Sequence, residues 1–176
     1  MQSGRGIILR LTKLSDTSLI VTWCVDGVGL VKTVAKGARR PKGVFSGKLD
    51  LFYIADIQWT ESRKSDLHTL SESSPVEYHE KLRTQYRDVL LASYFCGLIE
   101  HVLEPGQCDD EAFDLLKRAI TFLNEKEATV RALEHFENEL AKLTGVWDGK
   151  RRSNLALEDA FGRLPVIRSQ CKELLT

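Results

Sequence analysis

The spacing of hydrophobic residues changes once along this chain, near Pro75. Up to about residue 74, apolar side chains alternate with polar ones, as they do in strands that bury one face. After Pro75 they recur every three or four residues, as they do in helices with an apolar side. The sequence therefore predicts an α+β chain in which a domain of strands, residues 1–74, precedes an all-α domain, residues 75–176.

The N-terminal part contains five segments with the alternation of strands. Residues 26–29, of sequence DGVG, separate two of them with side chains that tolerate a positive φ angle. Five short strands without an intervening helix are typical of a small barrel or a strongly coiled sheet. The predicted strands are residues 7–12, 18–26, 31–36, 49–59 and 67–72.

The C-terminal part reads as a bundle of helices. Residues 78–106 are apolar on most sides, which predicts a helix buried by several neighbours and ended by Pro105 and Gly106. The next helix opens with Asp109, Asp110 and Glu111, whose acidic side chains suit a helix N-terminus. Residues 128–145 predict a third helix, and residues 154–175 predict one or two short ones.

Positive charge is concentrated in the loop between the third and fourth predicted strands. Residues 1–70 hold 11 Lys and Arg against 6 Asp and Glu, whereas residues 71–145 hold 8 against 15. Arginine and lysine pair with phosphate, and the glycines of this loop let the backbone approach a nucleic-acid strand. The pattern predicts nucleic-acid binding; the alternative is a solvated connection that keeps the sheet edge soluble. The predicted contacts are Lys36, Arg39, Arg40, Lys42 and Lys48, extended by Arg5, Arg10 and Lys32 on the strands.

Phe45 lies at the apex of this loop and has two interpretations. Its ring could stack on a base of a bound strand, and it is included among the predicted DNA contacts on that ground. The alternative is that the ring closes one end of the barrel.

No motif of a catalytic or cofactor site occurs in the sequence. The Gly-Lys pair at residues 47–48 lacks the glycine spacing and the hydroxyl of a phosphate-binding loop, and residues 27–29 lack the third glycine of a dinucleotide fingerprint. No H-E-x-x-H or G-x-S-x-G sequence is present. The sequence therefore predicts a protein that is not an enzyme and that needs no cofactor.

Cysteine usage and hydropathy indicate an intracellular setting. The cysteines form no C-x-x-C pair, which favours reduced thiols over a disulfide framework or a zinc site. No apolar run approaches the roughly 20 residues of a membrane span. We therefore expect a soluble, intracellular chain. The cysteines are Cys24, Cys96, Cys108 and Cys171.

The order of these features resembles the RecO family of bacterial recombination mediators. The stretch KGARRPK, residues 36–42, is the most specific part of the resemblance, and Phe45, Gly47, Leu49 and Phe52 continue it. Gly43 stands where the family usually has serine. The resemblance covers about residues 4–145, including the LLASYFCGLIEHVLEPG segment of the predicted long helix.

The resemblance implies an OB-fold barrel followed by a helical domain, without enzymatic turnover. Members of the family bind single- and double-stranded DNA and anneal complementary strands. They also bind the C-terminal tail of single-stranded DNA-binding protein, and they act with RecR to load RecA at gaps. The resemblance thus implies a cytoplasmic, nucleoid-associated DNA repair and recombination protein whose basic loop contacts DNA. An unrelated OB-fold module that binds RNA or single-stranded DNA, or a non-catalytic adaptor, remains the alternative.

Two further regions are candidates for contacts. Many family members carry a four-cysteine zinc element where this chain has only residues 146–153, VWDGKRRS, so no metal is predicted. Lys150, Arg151 and Arg152 in that stretch are either a second DNA contact or a solvated turn. An acidic peptide tail would need an apolar groove with one or two cations, for which the helical part offers Lys117, Arg118 and Arg131; ordinary surface charge is the alternative.

Overall fold

The computed structural model describes residues 1–176 and contains a closed five-stranded barrel and five helices. The strand order around the barrel is β1-β2-β3-β5-β4, in which β3 and β5 are parallel and all other neighbours are antiparallel. The predicted OB-type barrel followed by helices is confirmed. The strands are β1 (Gln2–Lys13), β2 (Leu19–Val25), β3 (Gly29–Ala35), β4 (Ile54–Thr60) and β5 (Leu67–Glu77).

The barrel interior is filled by large side chains from every strand. Trp23 is fully buried at its centre, and its indole N–H donates a 3.0 Å hydrogen bond to the hydroxyl of Thr33. Gly4 and Gly6 leave room for these side chains, since a Cβ on Gly4 would lie 2.7 Å from Val25 and one on Gly6 would lie 3.1 Å from the Trp23 ring. The core of the barrel is therefore closely packed.

The fourth strand begins later than the alternation predicts, at Ile54 rather than at residue 49. The chain turns just before it: the Tyr53 N–H donates to Asp50, and Phe52 has a φ angle of 69°. Leu49, Leu51 and Tyr53 pack on the barrel core as partly buried residues. Their alternation therefore reflects contact with the core by an irregular segment, not a strand.

The long helix is also shorter than predicted. β5 continues to Glu77, and a 3-10 turn covers Leu82–Thr84 before α1 (Tyr86–Val102) begins. The remaining helices are α2 (Asp110–Glu125), α3 (Val130–Leu143), α4 (Ser153–Phe161) and α5 (Ile167–Leu175). None of them has both the length and the apolar character that crossing a membrane requires.

The chain divides into two compact units that do not follow the sequence order. The barrel unit consists of residues 1–78 and 103–113, and the helical unit consists of residues 79–102 and 114–176. Within the barrel unit, Gln107 lies against Gly29, where a Cβ would be 2.1 Å from the Gln107 carbonyl oxygen. The segment of residues 103–113 therefore packs on the β2–β3 turn.

The core of the helical unit forms around α1. The rings of Phe95 and Phe136 stack with their centroids 4.1 Å apart, which joins α1 to α3. Both Phe136 and Glu137 are buried, at 2% and 1% exposure, although only one of the two can continue a strict apolar stripe. Glu137 is held by polar partners from α1 and α5, Tyr94 and Arg168.

Candidate nucleic-acid interface

The basic loop, residues 36–48, is a chain of tight turns rather than an extended excursion. Backbone N–H groups of Arg40, Gly43, Ser46 and Lys48 each donate to the carbonyl three residues earlier, at 3.0 to 3.2 Å. A Cβ at Gly43 would lie only 2.8 Å from the carbonyl oxygen of Gly37, so the two glycines approach closely. These turns confine the cations of residues 36–42 to a short segment of surface.

Two contacts attach the basic loop to the barrel. Phe45 is 6% exposed and belongs to the barrel core. Arg39 contacts the turn between β1 and β2. The Arg39 N–H donates to the carbonyl of Thr17 at 3.0 Å, and its guanidinium donates to the carbonyls of Ser15 and Asp16 at 3.0 and 3.3 Å. Since these acceptors are neutral carbonyls, they orient Arg39 without pairing its guanidinium with a negative charge.

The stacking role considered for Phe45 does not agree with this burial. A ring enclosed by the barrel core offers no face to a base, and the packing corresponds to the alternative in which Phe45 closes an end of the barrel. The aromatic ring therefore serves to fix the loop to the barrel.

The other cations of the basic loop have no carboxylate partner. Lys36, Arg40 and Lys42 are exposed and Lys48 is half-buried, and none of them forms an ion pair. Exposed cations without carboxylate partners attract phosphate, because no existing ion pair has to be broken. The loop thus gathers accessible positive charge at the end of β3.

Two predicted strand residues lie in one row on the outside of the barrel. The register pairs Arg10 with Thr22 across β1 and β2, and Thr22 with Lys32 across β2 and β3. Residues paired in this way share a face of the sheet, so Arg10 and Lys32 flank Thr22 at about one strand spacing, about 4.8 Å, on either side. Lys36 lies four residues after Lys32, one residue beyond the end of β3, where the basic loop begins.

Arg5, the remaining predicted contact, is paired with a carboxylate. Its guanidinium donates two hydrogen bonds to Asp56, of 2.8 and 3.0 Å, across the β1–β4 register. The Arg5 guanidinium lowers the pKa of Asp56 by hydrogen bonding, and Asp56 raises the pKa of Arg5 by the same contact. Its positive charge is locally compensated, and the structure does not bring Arg5 into the set of uncompensated cations.

The helical unit contains an apolar groove with cations at its edge. A cavity of about 390 Å³ lies between α2 and α3, with Phe122 and Phe136 among its walls and Arg118, Arg131 and His135 beside them. Arg118 and Arg131 are two of the three cations that the sequence offered for an acidic peptide, whereas Lys117 is not part of the groove. Arg118 is paired with Asp114 on the same helix, at 2.8 Å, so an acidic peptide would compete with that carboxylate. Sequence reasoning missed Phe122, which is 46% exposed. Its signal in the sequence was the spacing of four residues from Arg118, which places both side chains on one face of α2.

Residues 146–153 form a short structured loop. The Trp147 indole N–H donates a 2.6 Å hydrogen bond to the carbonyl of Arg151, whose guanidinium pairs with Asp159. Lys150 and Arg152 are exposed and form no ion pair. These residues do not fit a four-cysteine zinc site, since the loop supplies no thiolate.

Two family models together match most of the chain. The model described as Recombination protein O N terminal matches residues 1–79, and the one described as Recombination protein O C terminal matches residues 83–147. The chain belongs to the RecO family. The first RecO model spans all five strands of the barrel and the basic loop, and the second spans α1, α2 and α3.

Individual RecO proteins show the same relationship. The DNA repair protein RecO of Salinibacter ruber is 32% identical over 143 residues, which are 81% of this chain and 55% of that protein. Those of Syntrophus aciditrophicus and Rhodopirellula baltica are 28% and 29% identical, over 80% and 88% of this chain and 54% and 57% of those proteins. The chain thus spans a little over half the length of the curated RecO relatives that it matches.

Proposed function

We propose that this RecO-family chain is a DNA-binding recombination mediator that acts in gap repair in the bacterial cytoplasm, at the nucleoid. The basic loop and the outer row of Arg10 and Lys32 would hold the phosphate backbone of single- and double-stranded DNA. The observation that carries the proposal is the group of exposed, unpaired cations in a loop attached to the barrel by Phe45 and Arg39. Binding of this kind depends on backbone charge and has little sequence preference.

The same surface would promote annealing of complementary strands without a catalytic step. Two single strands repel each other, and a shared cationic surface reduces that repulsion and raises their local concentration. The turns of the basic loop support this function, because a backbone already fixed in position loses little conformational entropy when phosphate binds. No bond is made or broken in the process that we propose.

The groove between α2 and α3 is the site that we propose for the C-terminal tail of single-stranded DNA-binding protein. An acidic tail that carries an aromatic residue matches an apolar cavity bounded by Arg118 and Arg131. With the acidic tail bound in this groove, the protein would act with RecR to load RecA on DNA covered by single-stranded DNA-binding protein. This assignment rests on the family and on the chemistry of the groove.

Titration of fluorescent single-stranded DNA at two salt concentrations tests the DNA-binding assignment. We expect the double variant R39A/R40A to bind more weakly and to lose about 1.4 from the salt slope, since each phosphate contact on a single strand contributes about 0.7. The double variant R63A/K64A removes the same charge from exposed residues of the β4–β5 connection and serves as the matched control. Equal affinities of the two double variants would reject the assignment to the basic loop, and a preference for RNA would favour a different OB-fold module.

A labelled peptide with an acidic C-terminus and an aromatic residue tests the groove. We expect R118A to weaken peptide binding and K117A to leave it unchanged, because Arg118 borders the cavity and Lys117 does not. DNA binding by both variants should equal that of the native chain. If R118A and K117A behave alike, the groove is not the binding site.

A further inference from the structure

Val44 is an apolar residue of the basic loop whose side chain is largely exposed to solvent. Its exposed fraction is 70%, while the next residue, Phe45, is 6% exposed. Solvated loops normally carry polar side chains at such a position, and here the apolar residue stands two positions after Lys42 and four before Lys48. An isolated exposed valine would need no explanation, but this one lies inside the proposed DNA contact.

The fold holds Val44 outward in a defined position. The Ser46 N–H donates to the Gly43 carbonyl at 3.0 Å, which places Val44 inside a closed turn. The Phe45 side chain on one side is fixed in the barrel core, and the Gly43 backbone on the other packs against Gly37. Val44 is therefore presented by a turn that is fixed at both ends.

The backbone beside Val44 adopts an unfavourable conformation. Lys42 has a φ angle of 61°, in the left-handed region that side chains other than glycine, asparagine and aspartate rarely adopt. Residues retained in such conformations cluster at binding sites, where the surrounding structure maintains them. At Lys42 the conformation lets the chain turn from the cations of residues 36–42 to Val44.

We propose that Val44 contacts the bases of single-stranded DNA and that this contact gives the basic loop a preference for single strands over duplex. The inference rests on the proposed DNA-binding function. The cations before and after Val44 would hold the phosphates, and an apolar side chain between them meets the only apolar surface of the strand, its bases. In a duplex the base faces are stacked and covered, so the same side chain gains little there.

The variant V44S, compared with the native chain on three DNA probes, tests the proposal. The probes are a labelled single strand, a single strand of the same length whose nucleotides lack their bases (an abasic strand), and a duplex. We expect V44S to bind the single strand about threefold or more weakly, because contact of a valine with bases removes apolar surface from water. Its affinities for the abasic strand and the duplex, and its salt slope, should equal those of the native chain.

V76S is the matched control, because Val76 is an exposed valine, at 43%, on β5 of the same unit. Equal binding of V44S and the native chain to the single strand would overturn the inference and leave the DNA-binding function standing. Equal losses on the single strand and the abasic strand would also overturn it, since Val44 would then act on the shape of the loop. A native chain that binds none of the probes would overturn the DNA-binding function itself.

Discussion

Arg168 donates two hydrogen bonds to the buried carboxylate of Glu137, from Nε to Oε1 at 2.6 Å and from Nη2 to Oε2 at 3.0 Å. The Tyr94 hydroxyl donates a third, of 2.7 Å, to Oε1. The bond to Glu137 raises the pKa of Arg168, and burial raises the pKa of Tyr94. Arg168 therefore stays a cation and Tyr94 a neutral phenol, and their bonds to Glu137 join α5, α3 and α1.

Removal of the arginine should destabilise the helical unit strongly. In R168M the Glu137 carboxylate remains buried with only Tyr94 as a partner, and breaking a buried ion pair in this way costs about 3–5 kcal/mol. We expect that decrease in the free energy of unfolding in a denaturant titration followed by circular dichroism. K172M, which breaks the exposed contact between Lys172 and Glu134 on the same helix, should change stability little. Equal effects of R168M and K172M would contradict the prediction.

The pairing of Arg5 with Asp56 predicts a gain of DNA affinity when the carboxylate is removed. The hydrogen bond from Arg5 lowers the pKa of Asp56, so the pair is intact at neutral pH. In D56N the Arg5 charge becomes available, and we expect single-stranded DNA to bind about two to three times more tightly at low salt. E61Q makes the same change of net charge at an exposed residue of the β4–β5 connection. If E61Q increases the affinity equally, Arg5 does not lie on the DNA path.

Gly29 should not tolerate a side chain. It has a φ angle of 92°, and a Cβ there would lie 2.1 Å from the carbonyl oxygen of Gln107. We expect G29A to lower the free energy of unfolding by about 2 kcal/mol or more, because both the conformation and the contact become unfavourable. Gly149 has a φ angle of 77°, and no atom lies near a Cβ placed there. G149A is therefore the control for the unfavourable backbone conformation alone, which should cost about 1 kcal/mol of the free energy of unfolding. Equal losses would show that the Gln107 contact does not matter.

Two buried thiols predict a loss of stability at alkaline pH. Burial, with smaller contributions from Asp109 and Asp26, raises the pKa of Cys24 to about 12, and burial raises the pKa of Cys171 to about 11. Both values exceed the value of about 8.5 in an unfolded chain. Their contribution to stability is therefore complete below about pH 8.5 and is lost as the pH rises from there toward 12.

Denaturant titrations at pH 7.5 and pH 10 measure this effect. We expect the native chain to lose stability between the two values, and C24A/C171A to lose less. Cys108 is exposed, so C108S should keep the full pH dependence. At pH 8 the native chain should also react with a thiol reagent at Cys108 much faster than at the three buried cysteines. An unchanged pH dependence in C24A/C171A would contradict the assignment.

The sequence predicts the barrel because strand alternation is a local property of residues 1–74. It does not predict where β4 begins, since Leu49, Leu51 and Tyr53 alternate for a tertiary reason, their contact with the core. The Asp109 carboxylate accepts a 2.8 Å hydrogen bond from Ala112 N–H, which confirms the capping role expected from sequence. Capping was predictable because it spans three residues.

Features of the site that depend on distant residues were not predictable. The pairing of Arg5 with Asp56 follows from the β1–β4 register, which joins residues 51 positions apart. The burial of Phe45 depends on its packing with core residues of the barrel strands, which its neighbours in sequence do not reveal. By contrast, the concentration of cations in residues 36–42 was visible directly, because charge along a single loop needs no knowledge of packing.

Residues 103–113 belong to the barrel unit, and this affects the design of chimaeras in which the barrel of one relative is joined to the helices of another. A hybrid that took only residues 1–78 from one protein would place its Gly29 against a foreign residue 107, and its Cys24 beside a foreign residue 109. A faithful transplant of the barrel must carry both stretches of chain from the same donor. Evolution of the two stretches is subject to the same requirement, so substitutions in the β2–β3 turn and in the segment that covers it should be inherited together.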